Sequence, residues 1–120
     1  MQDFRKLFVY SKAVAYCKTI YKFSAELPLS EKFGLISQIR RAATSVALNI
    51  AEGAGTTSNR EFALFITYAY RSVNEILTCL TLIKKLKLST NEAAIPVLEK
   101  DGLELSRMLY SFSKKLTHKI

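Results

Sequence analysis

The sequence predicts an all-α protein, an up-down-up-down antiparallel four-helix bundle that forms a single domain over residues 1–120. Four segments carry apolar residues at alternating spacings of three and four, which is the period of a helix with one buried face. No segment alternates polar and apolar residues as a strand does. The connections are short, so neighbouring helices are expected to run antiparallel.

The first helix is predicted from about Leu7 to Leu27. Pro28 ends it, because the residue before a proline is biased away from the helical conformation. Its apolar seam consists of Tyr10, Ala13, Cys17, Ile20 and Leu27, widened by Val14 and Tyr21. The second helix is predicted from about Leu35 to Ala54, with the seam Ile36, Ile39, Ala43, Val46 and Ile50. Ser30 is its candidate N-cap, and the glycines at 53 and 55 end it.

The third helix begins with a capping box, in which Ser58 is followed three residues later by Glu61. A strict heptad then extends to about Lys87 through Phe62, Ile66, Ala69, Val73, Ile76, Leu80 and Ile83. Ser89 or Thr90 is expected to cap the fourth helix. Its seam is Ile95, Leu98, Leu105, Leu109, Phe112 and Leu116. Pro96 and Gly102 are expected to bend or weaken its first half.

A second, polar stripe follows the second helix and consists of Gln38, Arg41, Ser45, Asn49 and Glu52. It is either a hydrogen-bond network that fixes packing or a contact for a ligand or RNA, and the need to pair buried polar groups favours the network. Helices two and three fold back near residue 56, so position 41 faces 71 or 72, one turn from Glu75. We therefore predict that Arg41 pairs with Glu75, and that Asn49 and Glu52 stabilise the turn from Gly53 to Ser58.

The composition indicates more apolar surface than one bundle needs. Hydrophobic residues make up 49% of the chain, and the mean hydropathy is +0.10 although 18 residues are Lys or Arg. The surplus fits either a thick core or a subunit interface. Five aromatic residues lie off the best seams and favour the interface. They are Tyr16, Phe23, Tyr68, Tyr70 and Tyr110.

The net charge of +8 and the isoelectric point of about 9.6 favour a polyanionic partner. In the predicted topology, one end of the bundle collects the N-terminus, the turn between helices two and three, and the C-terminus. It holds seven cations against three carboxylates, which is half of the net charge. The cations are Arg5, Lys6, Lys12, Arg60, Lys114, Lys115 and Lys119, and the carboxylates are Asp3, Glu52 and Glu61.

The same end contains the start of helix three, where free backbone N–H groups and the polar residues 56–59 can hold a phosphate. Ordinary capping with solubilising lysines explains this end equally well, and both interpretations stay open.

The sequence does not support a catalytic or metal-binding function. The single histidine, His118, lies near the chain end and has Lys115 three residues before it, which excludes a Glu-x-x-His di-iron site. Cys and His are too few for zinc, no nucleophile has an activating partner, and no cofactor motif is present. Cys17 and Cys79 lie on diagonal helices, so we expect free thiols in a reducing compartment. Without a visible signal peptide or membrane-length apolar run, the expected location is the cytoplasm.

The central segment resembles a known family. Residues 38–42 read Gln-Ile-Arg-Arg-Ala, Ser45 follows, and residues 49–53 read Asn-Ile-Ala-Glu-Gly. This pattern resembles the hallmark of the 23S rRNA intervening-sequence proteins. Residues 4–13, the group formed by residues 27–28, 31 and 33–35, and residues 62–80 are also similar to the family. Arg71 departs from it, since the family usually has Gly before Ser72, and a large cation there replaces a close-packing residue.

The resemblance implies a bacterial, cytoplasmic four-helix bundle, often a homopentamer, with a nucleic-acid role. Together with the basic end, it predicts a non-enzymatic, homo-oligomeric RNA-binding protein with little base readout, because no aromatic RNA-binding motif is present. The predicted phosphate contacts are Arg5, Lys6, Arg60, Lys114, Lys115 and Lys119. The alternative is a protein-interaction scaffold that binds copies of itself and then a separate protein, such as a nucleic-acid enzyme.

Overall fold

A computed structural model of the chain describes residues 3–118, which form the predicted antiparallel four-helix bundle. The helices are α1 (Phe8–Ser24), α2 (Leu35–Ala54), α3 (Asn59–Lys85) and α4 (Ala94–His118). Short 3₁₀ turns at Phe4–Lys6 and Leu29–Glu31 precede α1 and α2, and no strand occurs within residues 3–118. Each helix packs against its neighbour in sequence, and α4 closes the bundle against α1. The bundle measures 46 × 22 × 19 Å.

The helical seams form one core, as predicted. Every predicted seam residue of α2 and α3 is buried, and Ile20, Ile39, Ile66, Ile76 and Leu109 are fully enclosed. Val14 and Tyr21, which were expected to widen the seam of α1, are instead exposed. Burial of these aliphatic side chains supplies the main driving force for folding, at about 1.5–3 kcal/mol for each large residue.

The first helix ends three residues earlier than predicted. α1 stops at Ser24, and the backbone N–H groups of Glu26 and Leu27 donate to carbonyls three residues back, at 3.1 and 3.2 Å. This tightened turn satisfies the helix end before Pro28. Leu27 is still buried, so its place in the apolar pattern was correct although its helical conformation was not.

Two predicted N-caps are wrong, and one is confirmed. The α2 terminus is capped by the Glu31 carboxylate, which accepts a hydrogen bond from the Leu35 N–H at 3.1 Å, while Ser30 lies within a 3₁₀ turn. Ser89 accepts from Asn91 N–H at 2.9 Å and so closes a turn ahead of α4, which begins only at Ala94. In α3, the Ser58 hydroxyl accepts from the N–H of residue 61 at 3.1 Å, as the capping box predicted.

Pro96 and Gly102 lie within a continuous α4, at positions that accommodate them. Pro96 is the third residue of the helix. A backbone N–H at this position would have no intrahelical acceptor, so proline removes no helical hydrogen bond here. Gly102 is buried, and a Cβ atom there would lie 2.5 Å from the Tyr16 hydroxyl oxygen. That hydroxyl donates to the Leu98 carbonyl at 2.8 Å. The glycine therefore allows a tyrosine of α1 to reach the backbone of α4.

The buried Tyr16 and Phe23 correct the interface prediction for these two rings, which belong to the core. Tyr68 and Tyr110 are exposed, and Tyr70 is half-buried with its ring centroid 6.2 Å from that of Tyr110.

Cys17 and Cys79 carry free thiols on α1 and α3. Within the described residues, none of the helices combines the length and apolarity needed to cross a membrane.

We expect Gly102→Ala to lower the free energy of unfolding by about 1–3 kcal/mol, because the new methyl group overlaps the Tyr16 hydroxyl. The control is Gly55→Ala, where the nearest atom is 3.4 Å away and the backbone is α-helical, so stability should rise by about 0.4–1 kcal/mol. Urea titration measures both variants. Equal stabilisation by the two alanines would show that Tyr16 does not require the glycine.

Tyr16→Phe is expected to cost about 1 kcal/mol at neutral pH, through loss of the hydrogen bond to Leu98. Burial, reinforced by Asp101 and Glu99, raises the pKa of Tyr16 far above its usual value near 10. Because the unfolded chain then loses this proton first, the native protein should lose stability as the pH rises above about 10, and the variant should lose less. Burial also raises the pKa of the Cys79 thiol, and both proteins contain this residue. Parallel stability curves from pH 8 to 11 would contradict this account.

Candidate nucleic-acid interface

Three chain segments converge at one end of the bundle, which we call the basic pole: the 3₁₀ turn before α1, the α2–α3 turn, and the end of α4. A Cβ atom on Gly53 would lie 2.8 Å from side-chain atoms of both Phe62 and Phe65, so α2 and α3 are in direct contact here. The Phe62 ring meets Phe112 of α4 edge-on at 5.3 Å between centroids. These contacts place Arg60 at the same end of the molecule as residues 114 and 115.

The turn between α2 and α3 is held by Thr56 and not by the residues that we predicted. The Thr56 hydroxyl lies 2.6 Å from the Gly53 carbonyl and 3.3 Å from the carbonyl of residue 58. Asn49 instead donates back along α2 to the Ser45 carbonyl and hydroxyl, at 2.8 and 2.9 Å. Glu52 has an exposed side chain and contributes only its backbone carbonyl, which accepts from Gly55. The prediction for Asn49 and Glu52 is therefore wrong.

The cations of the basic pole differ in how far they are already paired. Arg5 is engaged, since its Nε and Nη2 donate to the Asp3 carboxylate at 3.0 and 3.2 Å, and these bonds lower the pKa of Asp3. Lys12 contacts the Glu104 carboxylate at 3.3 Å. No other ion pair forms among residues 3–118. Lys6, Arg60, Lys114 and Lys115 are therefore exposed cations without a carboxylate partner in the described part of the chain.

One of these lysines contacts an aromatic ring, and another lines a groove. Lys114 lies over the Tyr110 ring, with Nζ 5.2 Å from its centroid. Lys115 lies beside an open groove between the start of α1 and the end of α4. Lys119 lies outside the described residues.

The groove has a volume of about 440 Å³, and no acidic residue lines it in the part of the chain that the structure describes. Its wall includes Leu7, Phe8, Arg107, Met108, Phe112 and Lys115. Sequence reasoning missed Phe8 and Arg107 as site residues. They are 99 positions apart, and no local pattern signals that α1 and α4 bring them together.

The polar stripe of α2 forms two separate contacts with α3. At the middle, the Ser72 hydroxyl donates to the Ser45 hydroxyl at 2.9 Å, which extends the Asn49 bond across the helix pair. Nearer the other end, the Gln38 amide donates to Glu75 at 3.4 Å. Ser72, which was absent from the predicted network, thus supplies one of its two links to α3, and Glu75 supplies the other.

The predicted ion pair between Arg41 and Glu75 does not form, because Glu75 contacts Gln38 and Arg41 is exposed. At 100° per residue, position 41 lies about 60° around the helix from position 38, on the side away from α3. Arg71, the departure from the family pattern, is also exposed and disturbs no packing. It lines a shallow groove of about 410 Å³ with Gln38 and Glu75.

A second polar cluster joins α2 to α1 and was not predicted. The Arg40 Nε donates to the Ser24 hydroxyl at 2.7 Å, and the guanidinium lies 4.8 Å from the Tyr21 ring centroid. The Tyr21 and Thr44 hydroxyls are 3.2 Å apart. Of two adjacent arginines, Arg40 is thus the structural one, and only the rotation of α2 in the bundle reveals this.

Within residues 3–118, no three His, Cys, Asp or Glu side chains are grouped to hold a metal ion.

Comparison with known proteins agrees with this architecture. The family model described as 23S rRNA-intervening sequence protein matches residues 5–111. A crystal structure of a protein of unknown function from the S23 ribosomal protein family of Bacteroides thetaiotaomicron superimposes with a TM-score of 0.80 at 26% identity, covering 88% of this chain and 98% of that one. No curated protein matches the chain. Because the family model covers most of its length, the chain belongs to the 23S rRNA-intervening sequence protein family.

Proposed function

We propose that the protein is a non-enzymatic, homo-oligomeric RNA-binding protein that contacts phosphates through its basic pole. One observation carries the proposal: segments far apart in sequence bring Lys6, Arg60, Lys114 and Lys115 to one end, and none of them has a carboxylate partner within residues 3–118. Arg5 can join them only by sharing or leaving Asp3. Lys119 is the sixth proposed contact.

The proposed contacts act mainly on the RNA backbone. Exposed Lys and Arg side chains release counterions when they neutralise phosphates, and this supplies affinity that depends on salt and not on sequence. The described part of the pole offers few amide groups that could read base edges. Backbone and shape recognition of RNA therefore agrees better with this surface than base readout does.

Self-association would strengthen such weak contacts. The outer faces of α2 and α3 expose Leu48, Leu64, Tyr68 and Leu82 beside Arg41 and Arg71, a mixture of apolar, aromatic and arginine side chains that is typical of protein interfaces. We propose that this face binds a second copy, within a homopentamer as the family resemblance implies. Several basic poles on one particle would then bind RNA with avidity.

The alternative function is a scaffold for a separate protein, and one feature favours it. Leu29 and Phe33, in the connection between α1 and α2 at the opposite pole, are 84% and 91% exposed. Exposed large apolar side chains of this kind mark protein contacts. A stoichiometric protein that survives nuclease treatment, and is lost from a Phe33→Ser variant, would support the scaffold over the RNA-binding function.

We expect Lys114→Glu with Lys115→Glu to weaken RNA binding at least tenfold near physiological salt, and to reduce the slope of log affinity against log salt by about two. The matched control reverses Lys84 and Lys85, which are also exposed, adjacent and near the end of a helix, but at the opposite pole. Fluorescence anisotropy with a labelled RNA across a salt series measures both. Equal weakening by the two double variants, or affinity that does not respond to salt, would reject the basic pole as the binding surface.

Light scattering is expected to give the native protein a molar mass several times 13.6 kDa. Leu48→Glu with Leu64→Glu should lower that mass toward a single chain, because two carboxylates would be buried in the proposed interface. Val97→Glu on α4 is the control, since Val97 is similarly exposed but lies away from α2 and α3. A native mass of one chain at every concentration would exclude self-association.

A further inference from the structure

The groove between α1 and α4 presents an aromatic ring to solvent at the basic pole. Phe8 is the first residue of α1, and its side chain is 68% exposed. Met108 and Phe112 of α4 are half-buried against the core and form an apolar floor beside it. An exposed phenylalanine loses the favourable burial that its ring would gain in a core, so a ligand that covers it recovers that free energy.

Cations lie in and beside this groove. Arg107 and Lys115 line the groove, and Lys12 Nζ lies 5.9 Å from the Phe8 ring centroid while it also contacts Glu104. Among the described residues that line the groove, none is a carboxylate. The groove therefore combines a flat π surface, an apolar floor and positive charge, which suits a planar ring attached to an anion.

We propose that this groove binds an unpaired base of a single-stranded RNA segment, stacked on Phe8, with the flanking phosphates on Arg107 and Lys115. The inference rests on the proposed RNA-binding function and specifies which RNA the pole prefers. Bases of an intact duplex are stacked on one another and cannot reach Phe8, whereas loops, bulges and ends can present theirs. The groove volume of about 440 Å³ lies within the roughly 300–1,000 Å³ of typical small-ligand sites.

The groove favours stacking over the reading of base identity. Besides the two cations, the polar side chain in its lining is the hydroxyl of Ser111, which can donate to or accept from any base. Stacking on an aromatic ring is tolerant of sequence because every base has a π face. We therefore expect selection of single strands over duplexes with little preference among base sequences.

The decisive variant is Phe8→Leu, which keeps an apolar side chain at an exposed position and removes the aromatic ring. With a single-stranded oligouridine that contains one 2-aminopurine, native binding should quench the 2-aminopurine fluorescence through stacking. The variant should bind this RNA roughly fivefold to a hundredfold more weakly and lose the quenching. Its binding to a duplex RNA and its salt slope should stay unchanged, because phosphate contacts remain. Phe8→Tyr, which restores a ring, should retain both native properties.

The matched control is Phe33→Leu. Phe33 is 91% exposed and has Lys32 Nζ 5.5 Å from its ring centroid, so it reproduces the exposed ring and cation of Phe8 at the opposite pole. It should bind RNA as the native protein does. Arg107→Gln should weaken binding and lower the salt slope by about one, as expected for one lost phosphate contact. Thermal unfolding verifies that each variant is folded.

The outcomes separate the two proposals. Unchanged affinity and quenching in Phe8→Leu, with RNA still bound in a salt-dependent manner, would overturn the base site and leave the phosphate-binding pole in place. Equal losses of RNA affinity and quenching in Phe8→Leu and Phe33→Leu would also overturn it, because the effect would then not depend on where on the bundle the exposed ring lies. Absence of RNA binding by the native protein would overturn both proposals.

Discussion

The close approach of α2 to α3 is the constraint on which the rest of the molecule depends. Gly53 allows the end of α2 to touch Phe62 and Phe65, and hydroxyls of Ser45 and Ser72 meet midway at 2.9 Å. A side chain at position 53 would separate the helices where the turn must be short. These contacts fix the antiparallel register of the central pair, and with it the end of the bundle at which Arg60 lies.

Because of that register, the positive charge of the chain is distributed unevenly over the surface of the bundle. Once Phe62 packs on Phe112, the lysines that follow in α4 must share an end with the start of α3. Because the two ion pairs in the described residues occupy only Arg5 and Lys12, most cations at this end keep their charge available. At physiological salt such a field reaches only about 8 Å, so the positions of these cations matter more than the net charge of +8.

Periodicity in the sequence was sufficient for the architecture but not for the detailed contacts. The strict heptad of α3 predicted its buried face correctly, and all seven seam residues are buried. A different rotation of this helix would have exposed the whole apolar seam to solvent. The caps at Ser30 and Ser89 failed because nearby residues offered competing turns. The predicted Arg41–Glu75 pair was wrong because Arg41 lies about 60° around α2 from Gln38, the residue that contacts Glu75. Residue spacing alone does not resolve a difference of this size. The groove beside Phe8 depends on the packing of α1 against α4, for which no local signal exists.

Lysine protection would show directly whether RNA phosphates contact one end of the bundle, as we propose. The RNA-bound and free proteins would be treated with an amine-reactive reagent, and the modified lysines would be located by mass spectrometry. We expect RNA to protect Lys6, Lys114 and Lys115, while Lys22, Lys32, Lys84 and Lys85 stay reactive. Uniform protection along the bundle, or protection confined to the opposite pole, would contradict it.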